Sequence, residues 1–209
     1  MTSTVKDVMT SNVVAVRKEA EFKEIIKVMR RRHFSAFPVL DADDRVAGVV
    51  SEADLLLKEA FPAAGGGADR PYRWRDRAKV AALTAADLMT SPAVTIGPDC
   101  PVTEAARLML KRRVKRLPVV ADTGRLLGIV SRVDVLGLYD RADADIRGEI
   151  VDDVITDLFL LEPGSIMVKV VSGIVTLSGP IENAAMANSL IDSVWHLDGV
   201  VDVRDRLHY

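Results

Sequence analysis

Two short turns carry residue types that can bind a small anionic ligand. The pattern Gly-x-x-Ser-x-x-Asp ends with Ser51 and Asp54, and it occurs again with Ser131 and Asp134. In each case a β-type run leads into a helix, whose N-terminus offers free backbone N–H groups and a positive dipole end to a phosphate. The spacing is also that of a capping box, in which the serine caps the helix and the aspartate reaches back. The two roles can coexist at one turn.

The charges beside these turns differ. Glu52 follows the first serine and would repel a phosphate, whereas Arg132 follows the second. Arg116 stands where an alanine stands 80 residues earlier, and a guanidinium group matches phosphate geometry. The run Lys111–Arg113 has two open interpretations, ligand binding or a cationic helix end that complements the dipole. We expect a phosphorylated ligand to bind most tightly at the site reached by Arg116 and Arg132.

The two turns belong to an internal repeat. Residues 7–56 align without a gap with residues 87–136, at a constant offset of 80. The dipeptide Met-Thr at positions 9–10, for example, recurs at 89–90. Self-similarity at a fixed spacing indicates two copies of one supersecondary unit, neither of which buries its apolar face alone. We therefore expect a pseudo-twofold axis with a cleft between the copies.

Hydrophobic periodicity predicts a strand, a helix, two strands and a second helix in each copy. Thr4-x-x-Asp7 and Thr84-x-x-Asp87 have capping-box spacing and predict a short leading helix before each copy. In the first copy the predicted elements are a strand at 13–16, a helix with its apolar stripe at 22–29, strands at 37–40 and 46–50, and a helix from about Glu52.

From Ile146 the pattern changes to that of a small separate domain. A helix is followed by a strand up to Val170, the hairpin turn Ser172-Gly173, a return strand, a helix and a last strand from Val200. The predicted fold class is α/β (α+β), with two βαββα units packed with pseudo-twofold symmetry and then an αββαβ domain. The predicted parts are a first unit at 1–60, a flexible Gly- and Pro-rich linker at 61–83, a second unit at 84–143 and the tail domain at 146–209.

The composition is that of a soluble globular protein. The 209 residues are 49% hydrophobic and 28% charged, with a net charge of -2. Residues 1–145 carry 24 Lys and Arg against 20 Asp and Glu, whereas residues 146–209 carry 4 against 10. There is no signal-peptide pattern and no stretch near the roughly 20 apolar residues of a membrane span. Cys100, a packing residue or a redox sensor, has no disulfide partner, so we expect a cytoplasmic protein.

No spacing typical of catalysis or metal binding appears. His33, His196 and His208 are far apart and lack a second ligand at metal-binding spacing. No nucleophile elbow or Walker pattern occurs either. We predict a protein that is not an enzyme and has no metal site.

The repeat resembles the CBS domain, and the pair resembles the Bateman module, a regulatory sensor of adenosyl ligands. The resemblance covers nearly all of residues 5–138 and rests on the paired Met-Thr dipeptides, the paired Pro-Val strands and the two Gly-x-x-Ser-x-x-Asp turns. It implies that Ser51 and Ser131 lie near phosphate or ribose, and that Asp54 and Asp134 accept hydrogen bonds from ribose hydroxyls. It also implies a homodimer, formed through an isologous interface of the module's exposed helices.

The resemblance places an apolar slot for adenine between the first strand and the Pro-Val strand of each copy. Core packing at the strand edge is the alternative role for these residues. The implied ligand is AMP, ADP or ATP, with S-adenosylmethionine or NAD(H) as alternatives, and no cofactor is required. The slot residues are Thr10, Val14, Ala36, Phe37 and Pro38, with Thr90, Val94, Arg116, Leu117 and Pro118 as counterparts.

The tail resembles the BON domain, through the apolar alternation that begins at Ile166, the glycines Gly173 and Gly179, and Gly199 before the last strand. BON domains are linked with phospholipid or envelope association. An anionic bilayer attracts Lys and Arg by roughly 1 kcal/mol each and would repel this acidic tail. We therefore expect the tail to bind a protein partner, not a membrane.

The stretch Arg70–Arg77 mixes four arginines with two aromatic residues. It has two interpretations, a phosphate or nucleic-acid contact or a solvated helix start with Tyr72 and Trp74 packed down. The pI near 6.0 argues against nucleic acid.

We expect a non-enzymatic regulatory protein, with a role such as energy sensing. Its tandem repeat would bind an adenosyl ligand and signal through dimer rearrangement and the tail domain. The alternative is a ligand-free dimerising adaptor that presents the tail to a protein or membrane partner. Clefts plugged by side chains would favour the adaptor.

Overall fold

The computed structural model describes residues 3–60 and 79–208. Most of the predicted linker and the whole stretch Arg70–Arg77 lie outside these residues. The chain divides into two compact units. Residues 9–100 and 107–130 form one, here called the repeat unit, and residues 1–8, 101–106 and 131–209 form the other, here called the tail unit.

The first copy of the repeat has the predicted order of elements. Strand β1 pairs parallel with β2, and β2 pairs antiparallel with β3, so that β2 is central. The first strand is shorter than predicted and begins only at Val16. The elements are α1 (Val5–Val8), β1 (Val16–Arg17), α2 (Phe22–Arg32), β2 (Ala36–Leu40), β3 (Val46–Ser51) and α3 (Glu52–Ala60).

The second copy repeats this order. Its first strand is reduced to a single parallel bridge between Ile96 and Val119, which are the counterparts of Val16 and Val39 in β1 and β2. Its elements are α4 (Ala85–Leu88), α5 (Val102–Arg112), β4 (Arg116–Val120), β5 (Leu126–Ser131) and α6 (Arg132–Leu136).

The core of the repeat unit lies between α2 and its sheet. Ile25 and Met29 form the apolar stripe of α2 and pack with Phe37 and Val50 of the strands. Leu88 of α4 joins the same buried cluster. The amphipathic spacing therefore places α2 where the sequence predicts it.

The two copies interlock through their Met-Thr dipeptides. Thr10 N–H donates to the Ile129 carbonyl at 2.9 Å, and Thr90 N–H donates to the Val49 carbonyl, also at 2.9 Å. A Cβ atom built on Gly48 would lie 2.6 Å from the Met89 sulfur. The same contact recurs 80 residues apart, because a Cβ on Gly128 would lie 2.6 Å from the Met9 sulfur.

The leading segments are also exchanged between the copies. In the repeat unit, Phe22 N–H donates to the Leu83 carbonyl at 2.9 Å. In the tail unit, Val102 N–H donates to the Ser3 carbonyl at 3.0 Å. These are equivalent bonds, so each leading segment attaches to the other copy. The predicted capping box is formed at the second leading helix, where Thr84 and Asp87 bond each other.

The tail domain packs one helical layer on a three-stranded sheet. Strand β6 pairs antiparallel with β7, and β7 pairs parallel with β8, which confirms the αββαβ order. The last strand begins at Asp202, two residues later than predicted. The elements are α7 (Asp143–Glu149), a π-helical segment (Ile150–Leu158), β6 (Met167–Val171), β7 (Ile174–Pro180), α8 (Ala184–Trp195) and β8 (Asp202–His208).

The first helix of the tail domain changes its winding at Ile150. The π-helical segment has wider turns than an α-helix, with hydrogen bonds between residues five apart. Ile146, Ile150 and Val154 are buried in the core of the domain, but Leu158 is 63% exposed. Leu158 shares the spacing of four with these residues but lies outside the buried stripe.

Candidate functional site

A cleft of about 330 Å³ opens in the repeat unit, near the lower end of the range of small-molecule sites. Both copies contribute to it. The first copy supplies the end of β3 and the N-terminus of α3, and the second supplies the segment after Thr90 and the loop before β4. The lining residues are Ser35, Ala36, Val49, Ser51, Glu52, Ala53, Asp54, Thr90, Pro92, Ala93, Val94, Arg113, Val114, Lys115 and Arg116.

The Ser-x-x-Asp turn of the first copy forms the floor of the cleft. Asp54 is 9% exposed and its Oδ2 accepts hydrogen bonds from the Ser51 N–H at 2.8 Å and the Ser51 hydroxyl at 2.7 Å. The aspartate thus reaches back to the residue before α3, as the capping-box interpretation expects. This is the aspartate half of a capping box.

The other oxygen of Asp54 is held by a lysine. Lys79 Nζ pairs with Asp54 Oδ1 and donates a second hydrogen bond to Thr90 Oγ1 at 3.0 Å. The two paired side chains are only 14% and 12% exposed. Lys79 lies outside the aligned ranges 7–56 and 87–136, so the repeat pattern gave no signal that could have identified it.

The second copy contributes cationic side chains to this cleft. Arg113, Lys115 and Arg116 line it, and Arg116 Nη2 donates to the Ser35 hydroxyl at 2.8 Å. The sequence predicts Arg116 at one site with Arg132. The structure instead places Arg116 in the cleft of Ser51, whereas Arg132 belongs to the tail unit.

The reason is the exchange between the copies. One wall of this cleft comes from the copy that does not supply its Ser-x-x-Asp turn, and reasoning from one copy alone cannot reveal this. The two interpretations of the run Lys111–Arg113, a helix end or ligand binding, apply to different residues of the run. Lys111 and Arg112 lie in the last turn of α5, and Arg113 follows it and lines the cleft.

The second turn has the same cap without the lysine. Asp134 Oδ2 accepts from the Ser131 N–H and hydroxyl, both at 2.7 Å. Within residues 3–60 and 79–208, Asp134 Oδ1 accepts no hydrogen bond. Arg132, which follows Ser131, is exposed. The two copies therefore differ at the second carboxylate oxygen, which pairs with a lysine in Asp54 and has no partner among the described residues in Asp134.

Nine predicted ligand residues do not line this cleft: Ser131, Arg132 and Asp134 of the second turn, and six others. Phe37 and Leu117 are fully buried, which agrees with the packing alternative. Pro38 and Pro118 are buried within β2 and β4. Thr10 pairs with Ile129, and Val14 packs against the core of the repeat unit. The predicted residues that the structure brings together are Ala36, Ser51, Asp54, Thr90, Val94 and Arg116. Their contact with a ligand stays a prediction.

In the part of the chain that the structure describes, no group of three or more His, Cys, Asp or Glu side chains is arranged to hold a metal ion. No helix within residues 3–60 and 79–208 has the length and apolar character needed to cross a membrane.

Family models match both parts of the chain. The CBS domain model matches residues 5–60 and 85–141, and the BON domain model matches residues 142–209. Together these ranges leave only the N-terminus and the segment between the copies unmatched.

Relatives and solved structures resemble the chain over about two thirds of its length. The uncharacterized protein MJ1426 of Methanocaldococcus jannaschii is 30% identical over 149 residues, which are 63% of this chain and 88% of that protein. The structure of CBSX2 in complex with AMP is 27% identical, with a TM-score of 0.56 over 64% of this chain and 94% of its own. The CBS domain pair of MJ0100, in complex with 5'-methylthioadenosine and S-adenosyl-L-methionine, shares the fold, at 21% identity and a TM-score of 0.55 over 67% of this chain and 98% of that one.

Proposed function

Because this chain belongs to the CBS-domain family and carries a C-terminal BON domain, we propose that it is a regulatory protein that binds an adenosine nucleotide in the cleft of Ser51 and Asp54. The observation that carries the proposal is the convergence of a helix N-terminus and three cationic side chains on one cleft. The AMP complex of CBSX2 supports the choice of ligand.

The chemistry of the cleft suits a nucleotide. Arg113, Lys115 and Arg116 can neutralise a phosphate, and Glu52 is the acidic residue that would oppose them. The N-terminus of α3 adds its free N–H groups and dipole. Apolar atoms of Val49, Val94 and other lining residues supply the surface that an adenine ring needs. ATP and AMP would share the adenosine contacts and differ in phosphate charge, which is the basis for energy sensing.

Calorimetric titration with AMP, ADP, ATP, S-adenosylmethionine and NADH tests the proposal. We expect AMP or ATP to bind, and Arg116→Ala to weaken AMP by about tenfold, or ~1.4 kcal/mol, without changing adenosine binding. Arg112→Ala is the matched control, because Arg112 lies in the last turn of α5 and does not line the cleft. The absence of heat with every ligand, for a folded protein, overturns the proposal.

We further propose a homodimer through the second helices of the copies. Leu56 of α3 is 64% exposed and its repeat counterpart Leu136 of α6 is 62% exposed. Apolar side chains at equivalent exposed positions are typical of an isologous interface. Sedimentation analysis of wild type and of Leu56→Asp with Leu136→Asp tests this, and a monomeric wild type contradicts it.

The BON domain is proposed as the output module of a cytoplasmic protein that is not an enzyme. Its net acidic charge hides a local basic face. Lys169, Arg204 and Arg206 are exposed and account for three of its four basic residues, and Lys169 and Arg204 are both in register with Thr176. This face supports an acidic protein partner. Hydrogen exchange of β6 to β8 with and without AMP tests whether ligand binding reaches it.

The ligand-free adaptor remains the second candidate, and Lys79 is the observation in its favour. A side chain already occupies the carboxylate expected to bind ribose. Thermal unfolding separates the two functions, because a ligand at 100 times its Kd adds about 2.7 kcal/mol. An unchanged Tm across all nucleotides supports the adaptor.

A further inference from the structure

Lys79 competes for the group that the proposed ligand needs. Its ammonium pairs with Asp54 Oδ1 and bonds Thr90 Oγ1, while Asp54 Oδ2 is used by the cap of α3. Each oxygen of this carboxylate is therefore already engaged. A ribose that takes Oδ1 must displace the lysine.

The second copy shows that the cap does not require such a lysine. Asp134 makes the same bonds to Ser131, at the same 2.7 Å to the hydroxyl, with no lysine from the described residues on its Oδ1. Lys79 is therefore not needed for the cap. We assign its effect to the choice of ligand in the cleft.

We propose that Lys79 determines ligand specificity, because it makes this cleft select adenosyl ligands that carry negative charge over cationic ones. The inference rests on the proposed function and names the ligand class of the same site. When ribose takes Asp54, the displaced ammonium requires another anion. The phosphate of AMP supplies one, and the flexible four-carbon stem of lysine allows the ammonium to move to it.

A cationic ligand meets the opposite situation. S-adenosylmethionine has a sulfonium and an ammonium against one carboxylate, so it adds positive charge where Lys79 has just lost its partner. Arg113, Lys115 and Arg116 already line the cleft and add to the repulsion. Neutral adenosine displaces Lys79 without compensating it and should lie between the two.

The test compares adenosine, AMP and S-adenosylmethionine by calorimetry on wild type, Lys79→Met, Lys79→Arg and Lys27→Met. Lys27 is an exposed lysine of α2 that does not line the cleft, so its variant removes one positive charge elsewhere. We expect Lys79→Met to lower the preference for AMP over S-adenosylmethionine by about tenfold or more, which is ~1.4 kcal/mol. Lys79→Arg should keep the wild-type preference, and Lys27→Met should match wild type.

The outcomes separate the two proposals. If AMP binds wild type and Lys79→Met shows the same ligand preference, the inference falls and the proposed function stands. If no ligand binds any variant, both fall. The series is repeated in an Asp134→Asn background, which leaves one Ser-x-x-Asp turn intact. A change of preference that vanishes in this background also overturns the inference.

A second measurement does not depend on how well Lys79→Met folds, which matters because that variant leaves the poorly exposed Asp54 unpaired. The side-chain ammonium resonance of Lys79, assigned by its absence from Lys79→Arg, should shift when AMP is added to wild type. The Lys27 resonance should not. A Lys79 resonance unmoved at saturating AMP contradicts displacement.

Discussion

The backbone N–H of Ser3 donates a 2.8 Å hydrogen bond to the carboxylate of Asp198, which lies 195 positions later in the BON domain. The carbonyl of the same serine accepts the N–H of Val102, in the second repeat copy. One residue of the first leading segment thus touches both the second copy and the tail domain. A displacement of this segment would break hydrogen bonds to both the second copy and the tail domain.

Asp198→Ala should destabilise the protein by about 1–2 kcal/mol, because a backbone donor loses a charged acceptor. Chemical denaturation measures the loss, and hydrogen exchange of the Val102 amide, 1% exposed, reports the local effect. Asp198→Asn keeps an acceptor oxygen and should lose less. The exposed Asp153→Ala is the control, and equal losses for Asp153 and Asp198 would contradict the role of this bond.

Gly48→Ala should destabilise the repeat unit by about 1–3 kcal/mol, the usual cost of overpacking. The new Cβ would meet the Met89 sulfur at 2.6 Å and the Thr90 carbonyl at 2.9 Å, and the backbone atom cannot swing aside. Gly148→Ala is the matched control, since nothing lies within 4 Å of its Cβ. That helical glycine should gain up to about 1 kcal/mol on substitution. Similar Tm shifts in the same direction for both variants would contradict the steric argument.

Asp44→Asn should lose stability at neutral pH but not in acid. Hydrogen bonds from Arg17 and then Arg125, with the charges of both arginines, hold the pKa of Asp44 below its usual value of 3.8. A depressed folded pKa gives stability that is present above the unfolded pKa and is lost as the pH falls through the folded pKa. Denaturation from pH 7 to pH 3 should therefore show wild type and variant converging. A constant difference across this range would exclude the arginines as the cause, and Asp43→Asn serves as the control.

Asp143→Ala should weaken the tail hairpin by about 1–3 kcal/mol. The carboxylate accepts the N–H groups of Ser172 and Gly173, each at 2.8 Å, and both residues have positive φ, 52° and 73°. Exposed Asp145, two residues later on the same helix, provides the control substitution. Amide exchange in β6 and β7 should rise in Asp143→Ala alone.

The sequence was informative where a pattern repeats and silent where it does not. The 80-residue offset predicted the elements of both copies and the turns at Ser51 and Ser131. It could not predict the role of Lys79, which lies outside the aligned ranges, or that Arg116 lines the cleft of the other copy's serine. Both depend on the exchange of segments between the copies. Hydrophobic periodicity predicts elements but does not show which copy a segment packs against.

The tail domain shows a different limit. Ile146, Ile150, Val154 and Leu158 are spaced by four, which an α-helical stripe tolerates over short lengths. The segment Ile150–Leu158 is π-helical, and Leu158 at its end is exposed. Winding of this kind is set by packing in the folded domain, so a local pattern does not reveal it.

The exchanged leading segments have a consequence for the ancestry and folding of the chain. The backbone bonds that Thr10 and Phe22 make to the other copy are matched by those of Thr90 and Val102, 80 residues later, as in a symmetric dimer of two identical chains. The duplicated chain has thus made an intermolecular interface intramolecular. A chain with one copy alone would leave its leading segment and its Met-Thr dipeptide without their acceptors, and it would recover them only by pairing with a second such chain.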